Sequence, residues 1–184
     1  MDSRIILTGI ACTILCCHGC GSKPADTDTY DTYEKPDTVN GIQQMKDYHY
    51  SAEVKDRNTV YTYDIVREVS DSLPVVEGEE NVRFADNYIR LRVNRDGREI
   101  FNKVFTKQTF ADKLDKDFFR HSILEGMAFD RLQPEGLRFS ASVSYPESDI
   151  YMPFSVLVAR DGSYRITKEE ILDTTVPEDS TATE

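Results

Sequence analysis

Along most of the chain the hydrophobic positions recur every second residue, the period of a strand with one face buried and the other wet. Phe139, Ala141, Val143 and Tyr145 alternate with Ser140, Ser142 and Ser144. Ile89, Leu91 and Val93 alternate with Arg90, Arg92 and Asn94, and a second run, Glu99 to Phe105, follows across Arg95-Asp96-Gly97-Arg98. Asp-Gly between two such runs predicts a hairpin, because glycine takes the positive φ of a tight turn without steric cost. Asp161-Gly162 repeats the device between Phe154 to Arg160 and Ser163 to Thr167. Tyr61, Tyr63 and Ile65 predict another strand before Leu73-Pro74 breaks the pattern. Ile123 to Leu132 predicts one more, ahead of the turn Gln133-Pro134-Glu135-Gly136.

One stretch has helical spacing instead. Phe110, Leu114 and Phe118 recur every four residues, with Thr109 and Asp112 placed as a capping box. Thr167-Lys168-Glu169-Glu170, ahead of Ile171-Leu172, predicts the start of a second, shorter helix. Neither is long enough to stand alone, so the Phe110 and Phe118 face is expected to lie on the sheet as a lid. Exposure of that face would instead make it a docking surface for a partner. The fold class is mainly β: an antiparallel β-sandwich or a partly closed barrel built from hairpins, with one short helix packed on it.

The two ends differ in character from this body. Residues 1–19 form a predicted signal peptide, in which Arg4 precedes a short apolar run from Ile5 to Leu15. That run is too short for a spanning helix, which needs roughly 20 apolar residues. Cys17-His18-Gly19-Cys20-Gly21-Ser22 resembles a bacterial lipoprotein box, with Cys20 as the lipid-modified first residue of the mature chain. Cys12, after Ile10-Ala11, is the rival, and a plain secretory signal is the remaining alternative. Residues 20–47 are expected to be an acidic flexible tether, spanning about 30 Å as a coil. Asp26, Asp28 and Asp31 are spaced as in a calcium loop, but the glycine turn and later Glu of an EF-hand are missing. Residues 48–173 make a single β-rich domain, and residues 174–184 an acidic, disordered tail.

Charge and cysteine usage narrow the function. The 184 residues carry a net charge of −11, which argues against a nucleic-acid surface. All four cysteines, Cys12, Cys16, Cys17 and Cys20, precede the body. Disulfides, cysteine-based zinc sites and a cysteine nucleophile are therefore excluded from it. No cofactor and no metal site is expected, and no catalytic residue is assigned.

The body offers few catalytic groups. His49 and His121 are its two histidines, and it has no H-E-x-x-H, no G-x-S-x-G and no glycine-rich phosphate loop. His121 follows the predicted helix, where an imidazolium suits the C-terminal carbonyls. His49 sits in Tyr48-His49-Tyr50. In Phe84-Ala85-Asp86-Asn87-Tyr88, the Asp and Asn ahead of a strand suit a turn cap more than a ligand site. Tyr48, Tyr50, Tyr61 and Tyr63 suit packing more than stacking on sugars, since tryptophan is absent. Arg90, Arg92, Arg95 and Arg98 are expected to pair with nearby acids rather than with an anionic ligand.

An ordered set of short motifs carries a resemblance: Leu73-Pro74-Val75-Val76, Asp86-Asn87-Tyr88-Ile89-Arg90-Leu91, Asp96-Gly97 and Phe105-Thr106-Lys107-Gln108-Thr109-Phe110. With the lipoprotein box, this set resembles a family of uncharacterised lipoproteins of Bacteroides-type gut bacteria, known by a domain-of-unknown-function label. The resemblance implies a mainly β lipoprotein of the Gram-negative envelope and transfers no catalytic residue; a lipid anchor in the outer membrane is expected, on either its periplasmic or its surface side. The expected function is a non-enzymatic binding or interaction module with a protein or glycan ligand. The alternative is an envelope hydrolase acting on glycan or peptidoglycan through paired carboxylates.

Overall fold

A computed structural model describes residues 37–170, and in it the chain is mainly β. In chain order the strands are β1 (Asp37–Val39), β2 (Ile42–Gln44), β3 (Tyr48–Asp56), β4 (Thr59–Val69), β5 (Val76–Glu77) and β6 (Arg83–Phe84). They continue with β7 (Asn87–Arg95), β8 (Arg98–Phe105), β9 (Ile123–Leu132), β10 (Gly136–Ser144), β11 (Tyr151–Ala159) and β12 (Tyr164–Lys168). One four-stranded antiparallel sheet has the order β3-β4-β7-β8, and a second has the order β12-β11-β10-β9. A small third sheet, β1-β2-β6-β5, contains one parallel pair, β2 with β6. Among the described residues no sheet closes on itself, so of the two expected architectures the sandwich is the one adopted.

The period-two patterns supply its filling. Tyr61, Tyr63, Ile65, Ile89, Leu91 and Val93 turn inward from one sheet, and Leu137, Phe139, Ala141, Val143, Phe154 and Val156 from the other. Tyr63 packs edge-on to Phe139 at 5.4 Å between centroids and stacks on Phe129 at 5.0 Å. Tyr48 and Arg67 tie the sheets together at one side, donating to the carbonyls of Met127 and Glu125. A smaller cluster of Val76, Phe84 and Ile123 seats the third sheet against the start of β9.

The predicted hairpins turn where Asp96-Gly97 and Asp161-Gly162 stand, with Gly97 at φ 79° and Gly162 at φ 86°. Three expectations are corrected. The one short helix expected is present as α1 Lys116–His121, but the Phe110 part of the predicted stretch is a separate 3-10 turn, Lys107–Lys113. Leu114 is extended between them, and Asp115 caps α1 by accepting from the amides of Asp117 and Phe118. The capping role expected of Thr109 with Asp112 moves one turn earlier, where the Thr109 hydroxyl accepts from the amide of Thr106. The second helix does not start at Thr167, because Thr167 and Lys168 pair with β11 as the end of β12.

The third correction concerns the tether. Residues 37–44, within the segment expected to be a flexible coil, form β1 and β2 around Asn40-Gly41, with φ of 51° and 74°. That dipeptide is a strong hairpin signal in its own right, and the alternation Tyr48, Tyr50, Ala52, Val54 that makes β3 is equally legible. The signal peptide, Cys12 and Cys20, the aspartates at 26, 28 and 31, Ile171-Leu172 and the acidic tail lie outside the described residues.

Candidate binding cleft

The 3-10 turn is where the fold creates a concave site. Phe110 is fully buried, 4.8 Å from the Phe154 ring and 6.3 Å from Phe105, and so anchors the turn on the sandwich. Phe118, on α1, is also buried and stacks on Tyr145 at 4.8 Å. Both faces are spent on packing, which removes the reading of Phe110 and Phe118 as an exposed docking surface. Opposite them runs the loop carrying Leu73, Pro74 and Val75, which leads into β5. Between the two lies a cleft of about 550 Å³.

Its floor is charged. Asp86 and Lys107 both line it, with the ammonium 3.5 Å from the carboxylate and side-chain exposures of 3% and 10%. Each group has further partners. Asp86 Oδ1 accepts from the amides of Asn87 and Leu124, both at 2.8 Å. Lys107 Nζ donates to the Ser122 carbonyl and lies 4.9 Å over the Phe119 ring. Asn87, also buried, donates to the Leu124 carbonyl at 2.9 Å. Asp86 and Asn87, whose pattern suits a turn cap, form instead a buried polar bolt between β7 and β9, and so between the two main sheets.

Burial governs the protonation of this pair. Loss of water raises the Asp86 carboxyl above its ordinary range, against the opposing pull of the Leu124 amide and Lys107. Loss of water likewise lowers Lys107, against the pull of Asp86. The pair sits among apolar walls formed by Leu73, Val75, Ala111, Leu114 and Phe119, while Lys116 and Arg120 stand at the rim. Three of the segments singled out in the sequence, Leu73 to Val76, the stretch opening at Asp86, and Thr106 to Gln108, converge here.

The other candidate residues stand apart from this cleft. His49 Nε2 is 3.1 Å from Ser51 Oγ and 3.5 Å from Asp64 Oδ1, while Ser51 donates to Asp64 at 2.6 Å. A Ser-His-Asp relay needs the serine and the carboxylate on different ring nitrogens. Here both meet the same nitrogen, and the serine proton is already directed to the aspartate, so the cluster is a polar patch of the β3–β4 hairpin. His121 Nδ1 lies 3.0 Å from the Asp117 carbonyl within α1. Among the described residues no three of His, Cys, Asp and Glu gather as metal ligands.

Tyr61 and Tyr63 are buried in the core, and Tyr50 is half exposed, so the tyrosines form no open stacking face. Burial, then the neighbouring Tyr50, pushes the Tyr63 phenol up to about 12, and it stays protonated. Of the arginines on β7 and β8, Arg92 pairs with Glu99 at 3.3 Å and Arg95 lies 3.9 Å from Asp96. A second cleft, of about 730 Å³, lies between the β3–β4 and β9–β10 turns. There Arg160 is fully engaged, with Asp56 at 2.6 Å, the Pro134 carbonyl at 2.8 Å and the Tyr61 hydroxyl at 3.3 Å. Among the described residues each cleft is lined by a single carboxylate, Asp86 in the first and Asp56 in the second.

Lys107 is the functional candidate that sequence patterning passes over. A lysine just after a strand reads as solvent-facing, and its burial depends on Asp86, twenty-one residues away. No curated protein matches this chain. A family model does match, the domain of unknown function DUF4738, over residues 27–166. The match takes in every described strand but the end of β12, and the chain belongs to the DUF4738 family.

Proposed function

We propose that this protein is a cell-envelope lipoprotein, anchored in the outer membrane through lipid on Cys20, whose β body is a non-enzymatic binding module. The observation that carries the binding reading is the cleft beside the Asp86–Lys107 pair. Its volume falls within the range of about 300–1,000 Å³ of small-molecule sites, and apolar and polar side chains share its lining. The carboxylate is already committed to two backbone amides and an ammonium, which suits holding a ligand more than moving a proton. The anchor reading rests on the lipoprotein box around Cys20 and the acidic stretch after it.

Two experiments test the two halves. Wild-type protein is expected to incorporate labelled palmitate and to fractionate with membranes, and Cys20→Ala to do neither. Unchanged labelling in Cys20→Ala, lost only in Cys12→Ala, would move the anchor; no labelling in either would end the lipoprotein reading. For the module, native mass spectrometry of protein purified from its own envelope is expected to show a retained ligand that Val75→Asp in the cleft wall releases. Ligand retained equally by Val75→Asp places binding elsewhere.

A further inference from the structure

The charges around the cleft point to the class of ligand, given the proposed binding role. In a chain of net charge −11, the described residues lining this cleft include three cations, Lys107, Lys116 and Arg120, against one carboxylate. Lys107 is largely neutralised by Asp86. Lys116 and Arg120 are exposed at the rim, and Arg120 has only a loose partner, Asp117 at 3.9 Å. Among the described residues no carboxylate lies within ion-pairing distance of Lys116. Inward from these rim cations lie Leu73, Val75, Ala111, Leu114 and Phe119, and Val75 is 43% exposed although it is a large aliphatic residue.

We infer that the cleft takes a monoanionic carboxylate on an apolar body, with the carboxylate held by Lys116 and Arg120 and the apolar part laid against Val75, Leu114 and Phe119. Three considerations select this class. Leu73, Val75, Ala111, Leu114 and Phe119 give the body of such a ligand an apolar surface to lie against. The ion-paired Asp86 and Lys107 add no net charge to the cleft, so a single negative charge at the rim is compensated by Lys116 and Arg120 alone. The planar guanidinium of Arg120 matches the two oxygens of a carboxylate in a way that a point charge does not. The apolar acid can be a free small molecule or the C-terminus of a short apolar peptide, and the chemistry recognised is the same.

The full chain is titrated with phenylbutyrate and with its neutral amide, following backbone amide signals of residues 73–76 and 116–120 by NMR. A parallel arm uses the tripeptide Ala-Val-Leu as free acid and as C-terminal amide. Phenylbutyrate or the free-acid peptide is expected to bind at least tenfold more tightly than its amide, and the arm with the greater affinity identifies the source. Lys116→Gln with Arg120→Gln, both exposed on α1, is expected to abolish that preference while the amide spectrum of the β body stays unchanged. Equal binding of acid and amide overturns the anion inference while leaving the cleft a binding site. Failure of every probe to shift the cleft signals overturns the inference and the binding role assigned to the cleft together.

Discussion

The ammonium of Lys107, at the start of the 3-10 turn, stands 3.5 Å from the carboxylate of Asp86, and both are buried at the junction of the two main sheets. Two desolvated charges tolerate each other's company far better than either tolerates solitude. Lys107→Met, which leaves the Asp86 charge buried alone, is expected to cost about 3–5 kcal/mol. Lys107→Met combined with Asp86→Asn removes both charges and keeps an oxygen to accept from the Leu124 and Asn87 amides, so most of that loss returns. Urea unfolding of the three proteins decides it; a double variant no more stable than Lys107→Met sinks the account.

The same pair has a pH signature. Burial raises the Asp86 pKa above its ordinary 3.8, so the folded form takes up its proton at higher pH than the unfolded chain. A raised folded pKa contributes stability at low pH and loses it as pH climbs through the folded value. Between neutrality and about pH 4, wild type should therefore gain on Asp86→Asn as the solution is acidified. Glu169, held low by Ser155 and then Arg138, works in the opposite direction and is common to both proteins. Urea midpoints at a series of pH values measure the difference; a gap constant from neutrality to pH 4 contradicts the expectation.

Gly162 and Gly97 share positive φ but differ in surroundings. A Cβ on Gly162 would stand 2.2 Å from the Ile100 carbonyl oxygen, where the β11–β12 turn meets the backbone of β8, whereas a Cβ on Gly97 meets nothing within 4 Å. Gly97→Ala should cost only the backbone strain, about 1–3 kcal/mol. Gly162→Ala adds a clash with main chain that no side-chain rotation relieves, and should cost clearly more. Thermal unfolding compares them, and equal losses would show that the close approach is not part of the folded state.

Phe110 ties the cleft to the sandwich. Phe110→Ala empties a fully buried site against Phe105 and Phe154 and should destabilise by about 3–5 kcal/mol. The cleft wall carrying Ala111 and Leu114 should loosen with it, visible as faster amide exchange over residues 107–114. A loss near zero would return Phe110 to the role of a surface residue.

Much of the fold is written in local pattern. The alternation of Ile89, Leu91 and Val93 and of Phe139, Ala141 and Val143, and the Asp-Gly turns at 96 and 161, specify strands and hairpins, because a side-chain period of two and a positive φ are properties of neighbouring residues. The same local logic also covers Asn40-Gly41 and the alternation through Tyr48 to Val54, so β1 to β3 were legible without any tertiary information.

What the sequence alone determined is therefore the mainly β class, the order of its hairpins and the poverty of catalytic groups. The choice of an open sandwich over a barrel belongs to tertiary structure, because it depends on which strand edges meet across many residues. The split of the expected helix at Leu114-Asp115 follows from Asp115 capping a new turn while Phe110 and Phe118 seek separate aromatic partners in the core. Tertiary structure alone made Lys107 a candidate site residue. Its burial requires Asp86 from β7's approach, the Ser122 carbonyl and the Phe119 ring to arrive at one place, and no periodicity in the chain records that meeting.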